Sequence, residues 1–246
     1  MPQQPTISTA NPNAGPTSLR HAGPHLGAVA LVYTILFNAG LYPVTAFAGK
    51  PYWPGPWEPG DVIVSYFQTH ASPVLICAFL QFGATIALGI FTATVVSRLR
   101  FLGVRAAGPY IALFGGLATV FNGMAAGFLV WVMIHPGIAQ DATLLQALYY
   151  LSYAFGGPGF SVPMGLLLLA GVSIPAGFLK LLPKWIVVLG LALSVCGELS
   201  WFNLIMPQAL FFIPLTRFLG FVWLIATGFR LPRAIAPPLL SPEVSA

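Results

Sequence analysis

Charge is what this chain lacks. Only 6% of its 246 residues are Asp, Glu, Lys or Arg, against about 25% in an ordinary globular domain. So few polar groups cannot cover a water-soluble fold of this size, which excludes soluble enzymes and binding domains. The net charge of +5 is scattered along the chain rather than gathered into a basic patch, so no nucleic-acid surface is offered. Cysteine is scarce as well: Cys77 and Cys196 each fall inside an apolar run, where a free thiol behaves as a small apolar residue and no disulfide is expected. No lysine sits in the middle of an apolar run, which excludes a retinal Schiff base. Phosphate loops, zinc-protease helices and Cys-x-x-Cys pairs are missing too. The four histidines lie in the N-terminal tail or at run ends. His70 and His135, with Glu58, Asp61 and Asp141 on the same side, are the nearest thing to a metal set, but separate interfacial histidines are expected, with no metal and no cofactor.

What the chain does have is long apolar runs. Mean hydropathy is +0.86, and a bilayer crossing needs about 20 apolar residues. The runs predict six transmembrane helices at 26–48, 73–97, 107–134, 143–174, 184–205 and 208–229, an all-α membrane protein. The Pro-, Asn- and Gly-rich segment 1–24 and the Pro-rich segment 234–246 read as disordered tails flanking a transmembrane domain at 25–233. Ser72-Pro73 and Asp141 have the form of helix N-caps, and Pro183 and Pro207 lead into the fifth and sixth spans. Arg20, the group Arg98, Arg100 and Arg105, the pair Lys180 and Lys184, and the pair Arg230 and Arg233 mark alternate span ends. The opposite ends hold only Lys50 with Glu58, Asp61 and Asp141. Positive charge stays in the cytoplasm, so both termini are expected there, in a multi-pass protein of the cell (cytoplasmic or inner) membrane. Arg20 and Ala46-Phe47-Ala48 outline a signal peptide around the first span, but its length and its interior Asn38 and Pro43 predict a retained helix. The aromatic loop 50–70 predicts an anchor on the outer leaflet with a short helix at 62–69 capped by Asp61; a lid over an outward-facing cavity is the alternative.

A few polar groups lie where lipid should be. Glu198 and Arg217 stand eight residues before and ten after the turn at Met206 and Pro207. At about 1.5 Å per residue both sit roughly 12–15 Å deep, which predicts a salt bridge between the last two helices or a substrate or proton site. Thr34, Asn38, Tyr42 and Thr45 form a stripe on the first span, Cys77, Gln81 and Thr85 on the second, and Gly115, Thr119, Asn122 and Ala126 on the third. Gly115, Thr119, Gly123 and Gly127 make a small-residue row that admits a neighbouring helix. Gly156-Gly157-Pro158-Gly159 and Pro163 should break the fourth span, and Asn38, Gly40 and Pro43 should weaken the first. Paired interruptions of this kind point to a transporter-type site, although the one internal echo, Gly116-Leu-Ala against Gly190-Leu-Ala, joins spans that run in the same direction.

Trp57-Glu58-Pro59 before the second helix, the basic inner loops, and Leu182-Pro183-Lys184-Trp185 opening the fifth resemble a family of bacterial six-helix membrane proteins grouped as a domain of unknown function. The likeness covers about residues 26–230; it implies a bacterial cytoplasmic-membrane protein and carries no known active residues. The leading expectation from the residues is a bundle that binds or translocates a small or lipid-like molecule. The site would be a partly polar cavity built from Glu198, Arg217, Asn38, Gln81, Asn122 and Trp201 near the break at Gly156 to Gly159. Two other readings stay open. One is an accessory or scaffold subunit with a membrane-protein partner; the other is an intramembrane enzyme using Glu198, with Trp201 one turn along, as acid or base.

Overall fold

A computed structural model describes residues 19–235. Six helical segments in it are long and apolar enough to cross a bilayer: Leu26–Val44, Ala71–Phe101, Gly108–Met133, Ala142–Phe178, Lys184–Leu204 and Pro207–Arg230. The second span starts two residues earlier than the sequence suggests, capped at His70 rather than Ser72, and no side chain bonds its first turn. Asp141 does cap the fourth, its carboxylate accepting from the Leu144 N–H at 3.0 Å. Gly103, at φ +87°, ends the second span's last turn where a side chain would be strained.

Lipid gives apolar side chains no reason to leave it, so helices associate through close packing. Glycine pairs mark where the backbones meet. A Cβ on Gly228 of the sixth span would lie 2.7 Å from the Gly27 Cα of the first. One on Gly171 of the fourth would lie 2.7 Å from the Ala112 nitrogen of the third, and one on Gly197 of the fifth 2.8 Å from the Gly165 Cα of the fourth. The fourth span is the most enclosed, two thirds of its apolar window being buried (67%). The first packs between the second and the sixth, with Tyr33 and Phe37 buried among Phe221 and Phe160. It is a member of the bundle.

At the end where both termini lie, Leu19–Arg20 pairs antiparallel with Ala234–Ile235. Both strands fall inside segments expected to be disordered, as do the described residues 21–24; residues 1–18 and 236–246 of those tails lie outside the described residues. Arg98, 1% exposed, holds this clasp by donating to the Leu231 carbonyl at 3.4 Å and the Pro24 carbonyl at 3.3 Å. His21 sits beside it, its Nε2 3.0 Å from the Ser97 hydroxyl and its ring edge-on to Phe101. Burial, then the nearby Arg98 and Arg233, lowers the His21 pKa below the usual histidine range. The open clasp therefore takes up a proton more readily than the closed one. Closure is fully favoured above the ordinary histidine pKa of about 6.5 and weakens as pH falls below it. Spin labels at Leu19 and Ile235 should keep one short distance at about pH 8 and spread toward about pH 5, and His21→Phe should remove that dependence.

Candidate intramembrane cavity

The fourth span is built to break. Its first helix, Ala142–Gly156, stops at Gly157, whose φ of −88° and ψ of −104° leave the helical region. Pro158 follows and brings no N–H. The chain resumes as a short helix at Pro158–Val162, widens into a π-helix over Pro163–Leu169, and finishes as Ala170–Phe178. A break in lipid strands carbonyls that water cannot reach. Arg217 of the sixth span answers it: its Nη2 donates to the Gly156 carbonyl. The guanidinium also lies 4.7 Å from the ring centre of Phe160 and 5.2 Å from that of Phe37. A cation here meets the negative end of the Ala142–Gly156 dipole.

Magnitudes explain how an arginine survives at this depth without a carboxylate. A hydrogen bond from a charged donor contributes about 1.5–3 kcal/mol, and desolvated cation–π contacts about 0.5–2. Holding the charge in the membrane costs about 2.5–3.5 kcal/mol on insertion scales. The terms are comparable, so the position is tenable but leaves little surplus.

Beside Arg217 lies a cavity of about 250 Å³, just under the usual range of about 300–1,000 Å³ for small-molecule sites. Cys77, Gln81 and Thr85 of the second span face it together, as does the Tyr149, Ser152 and Tyr153 ladder that leads down the fourth span to the break. Its space comes from side chains that are absent: Gly123, Ala126 and Gly127 form the third-span wall. A Cβ on Gly127 would find nothing nearer than 3.7 Å, whereas one on Gly115, further along the same row, would press into the fourth span's backbone, 2.6 Å from the Leu168 nitrogen. The glycine row expected to serve packing does so at one end and makes room at the other.

The loop before the second span roofs the cavity. The Trp53 N–H donates to the Val44 carbonyl at 2.8 Å, and the Tyr149 hydroxyl donates to the Pro54 carbonyl at 2.7 Å. The Trp53 ring lines the cavity and meets Phe67 edge-on at 5.0 Å. The short helix, Gly60–Thr69, begins two residues before the expected start and is capped at Pro59, with Asp61 merely in its first turn. It buries Ile63, Val64, Tyr66 and Phe67 against the bundle. Burial, with Cys77 nearby, pushes the Tyr66 phenol up to about 12. The segment expected as an outer-leaflet anchor, or as a lid, packs against the bundle, and of its residues Trp53 lines the cavity.

Of the six residues predicted for a site, Arg217 and Gln81 meet in this cavity. Glu198 does not line it, and among the described residues no ion pair joins Glu198 to Arg217, whose partners are the Gly156 carbonyl and the Phe160 and Phe37 rings. Trp201 is 52% exposed on the bundle's flank. Asn38 and Asn122 turn their amides back to the Thr34 and Ala118 carbonyls of their own helices, at 2.7 and 2.8 Å, with Asn122 close to the break at Gly159. Sequence reasoning missed Trp53, Tyr149 and Tyr153. The four-residue spacing of Leu145, Tyr149, Tyr153 and Gly157 was the available signal, a polar edge aimed at the break. Tyr153 donates to Asn203, whose amide reaches the Pro207 carbonyl at 3.4 Å, tying the last interhelical turn to the cavity wall. His70 stacks on Tyr66 and His135 packs on Trp131; among the described residues no three His, Cys, Asp or Glu side chains gather as a metal set. No family model, curated protein or solved structure matches the chain.

Proposed function

We propose that this multi-pass protein binds or translocates a small, lipid-like molecule in the cavity between Trp53 and Arg217. It would do so in a cell membrane with its termini in the cytoplasm and the Gly60–Thr69 cover facing out. The observation that carries the reading is the junction of a broken fourth helix with an arginine and an open volume at one depth. Discontinuous helices of this kind line substrate sites because only a cavity or packed protein tolerates irregular backbone in lipid. The distribution of lysine and arginine supports the orientation. Glu198 stands off the cavity, so geometry lends no support to acid catalysis within it.

Filling the cavity tests the reading. Gly127→Leu adds a side chain where the wall is open, and the crossings made by Gly115 and Gly171 are untouched. Native mass spectrometry of the gently solubilised protein should detect a discrete bound mass that Gly127→Leu loses while keeping the same oligomeric state. Bulk lipid alone on the unmodified protein, or equal occupancy in both proteins, would sink the proposal.

A further inference from the structure

The floor of the cavity holds a cation and no anion. Among the described residues, Arg217 is the one charged side chain in the lining. Its titratable neighbours are two phenols and a thiol, Tyr33, Tyr153 and Cys77. A guanidinium presents five N–H donors in a planar fork, and its one recorded hydrogen bond is to the Gly156 carbonyl. Its Nε is buried without a partner, as is the Tyr33 hydroxyl. Thr85 brings no spare donor, since its hydroxyl is spent on the Phe82 carbonyl at 2.6 Å. Positive charge is in excess here: the Gln81 amide offers a neutral acceptor, and nothing in the lining supplies negative charge. Above this floor the walls turn apolar and aromatic, from Phe37 and Phe160 to Tyr149 and Trp53.

Resting on the cavity reading above, we propose that the ligand is a carboxylate with a short apolar body, its head on Arg217 and its body toward Trp53. An amine would set cation against cation. An alcohol would satisfy a donor and leave the charge uncompensated. A phosphate dianion would bring a second negative charge for which the lining holds no second cation. A carboxylate matches one guanidinium in charge and in its planar, two-point geometry. In a low-dielectric site that match separates ligands of equal size.

The test compares 8-bromooctanoate with 8-bromooctanol on protein in zwitterionic nanodiscs, at a pH where the acid is ionised. Concentrations are referred to the membrane phase, so that partitioning cancels. The readout is bromine quenching of Trp53, taken as the difference between the unmodified protein and Trp53→Phe. The acid should half-quench at a concentration at least about tenfold lower than the alcohol. Arg217→Met should bring the two to parity, and Arg217→Lys, which keeps the charge without the fork, should retain only part of the preference. The comparison on the unmodified protein decides the matter even if both variants fold poorly. Equal quenching by acid and alcohol overturns the carboxylate assignment and leaves the cavity reading standing. No Trp53-specific quenching by either overturns both.

Discussion

Arg217→Met is expected to move insertion and packing in opposite directions. Insertion of the sixth span into the bilayer should improve, because the change removes a charge that costs about 2.5–3.5 kcal/mol at mid-membrane. Packing of the inserted helices should worsen. The Gly156 carbonyl loses its donor, about 1–3 kcal/mol for a buried unpaired acceptor, and the contacts over Phe160 and Phe37 lose about 0.5–2 more. Methionine fills much of the same volume, so little cavity cost is added. A glycosylation-mapping assay of the isolated sixth span should therefore register better insertion. Thermal unfolding of the whole protein in one detergent should register a loss of about 2–4 kcal/mol. Unchanged unfolding would mean that the broken fourth helix satisfies Gly156 by some other route, and that Arg217 does not cap it.

The second large effect is expected at a single methyl group. Gly197→Ala places a Cβ 2.8 Å from both the Gly165 Cα and the Ser161 carbonyl oxygen. Those are backbone atoms, with no side chain to swing away, so the fourth and fifth spans must separate. Overpacking costs about 1–3 kcal/mol, occasionally more, and a backbone-on-backbone clash belongs at the upper end. Gly89→Ala is the control, since its Cβ would meet nothing nearer than 3.8 Å. Alanine is favoured over glycine in a helix by about 1 kcal/mol, so Gly89→Ala should be neutral or stabilising. Gly197→Ala should lose about 3 kcal/mol in spite of that gain. Thermal unfolding of the pair, side by side, decides whether glycine is needed at that crossing; similar midpoints would remove the close-approach explanation.

The spans were legible because lipid excludes charge, and the clusters of Arg and Lys mark where each apolar run must end. The break at Gly157 was legible for the same kind of reason: glycine beside proline removes both the geometric preference and the N–H that hold a helix. Whether Glu198 and Arg217 meet was not legible, because residue counting gives depth and leaves azimuth open. Depth also shifts, since the chain tightens to 3₁₀ turns at Ser200–Leu204 and Pro207–Phe211, where the rise per residue is about 2 Å rather than 1.5. On the fifth span Gly197 faces the fourth, so Glu198, one residue and about 100° further round, turns from that contact. Arginine's reach then lets Arg217 choose a carbonyl over a carboxylate. The role of the 50–70 loop stayed open between anchor and lid because Tyr and Trp at a membrane surface and Tyr and Trp over a cavity look alike in sequence. The Tyr149 bond to Pro54, which ties the loop to the fourth span, joins residues 95 apart and leaves no mark in local sequence.

The glycine contact between the first and last spans also has a meaning in time. Gly27 leaves the ribosome roughly 200 residues before Gly228, an interval of about 10–40 s at 5–20 residues per second. Throughout it, the first span leans on the second and, once the fourth has emerged, on Phe160 through Phe37, while Arg98 waits for the Leu231 carbonyl. Spans two to five can settle as they emerge; the ring of helices closes only with the last. The half-built protein is therefore an open crescent in the bilayer, and its lifetime is set by the rate of translation.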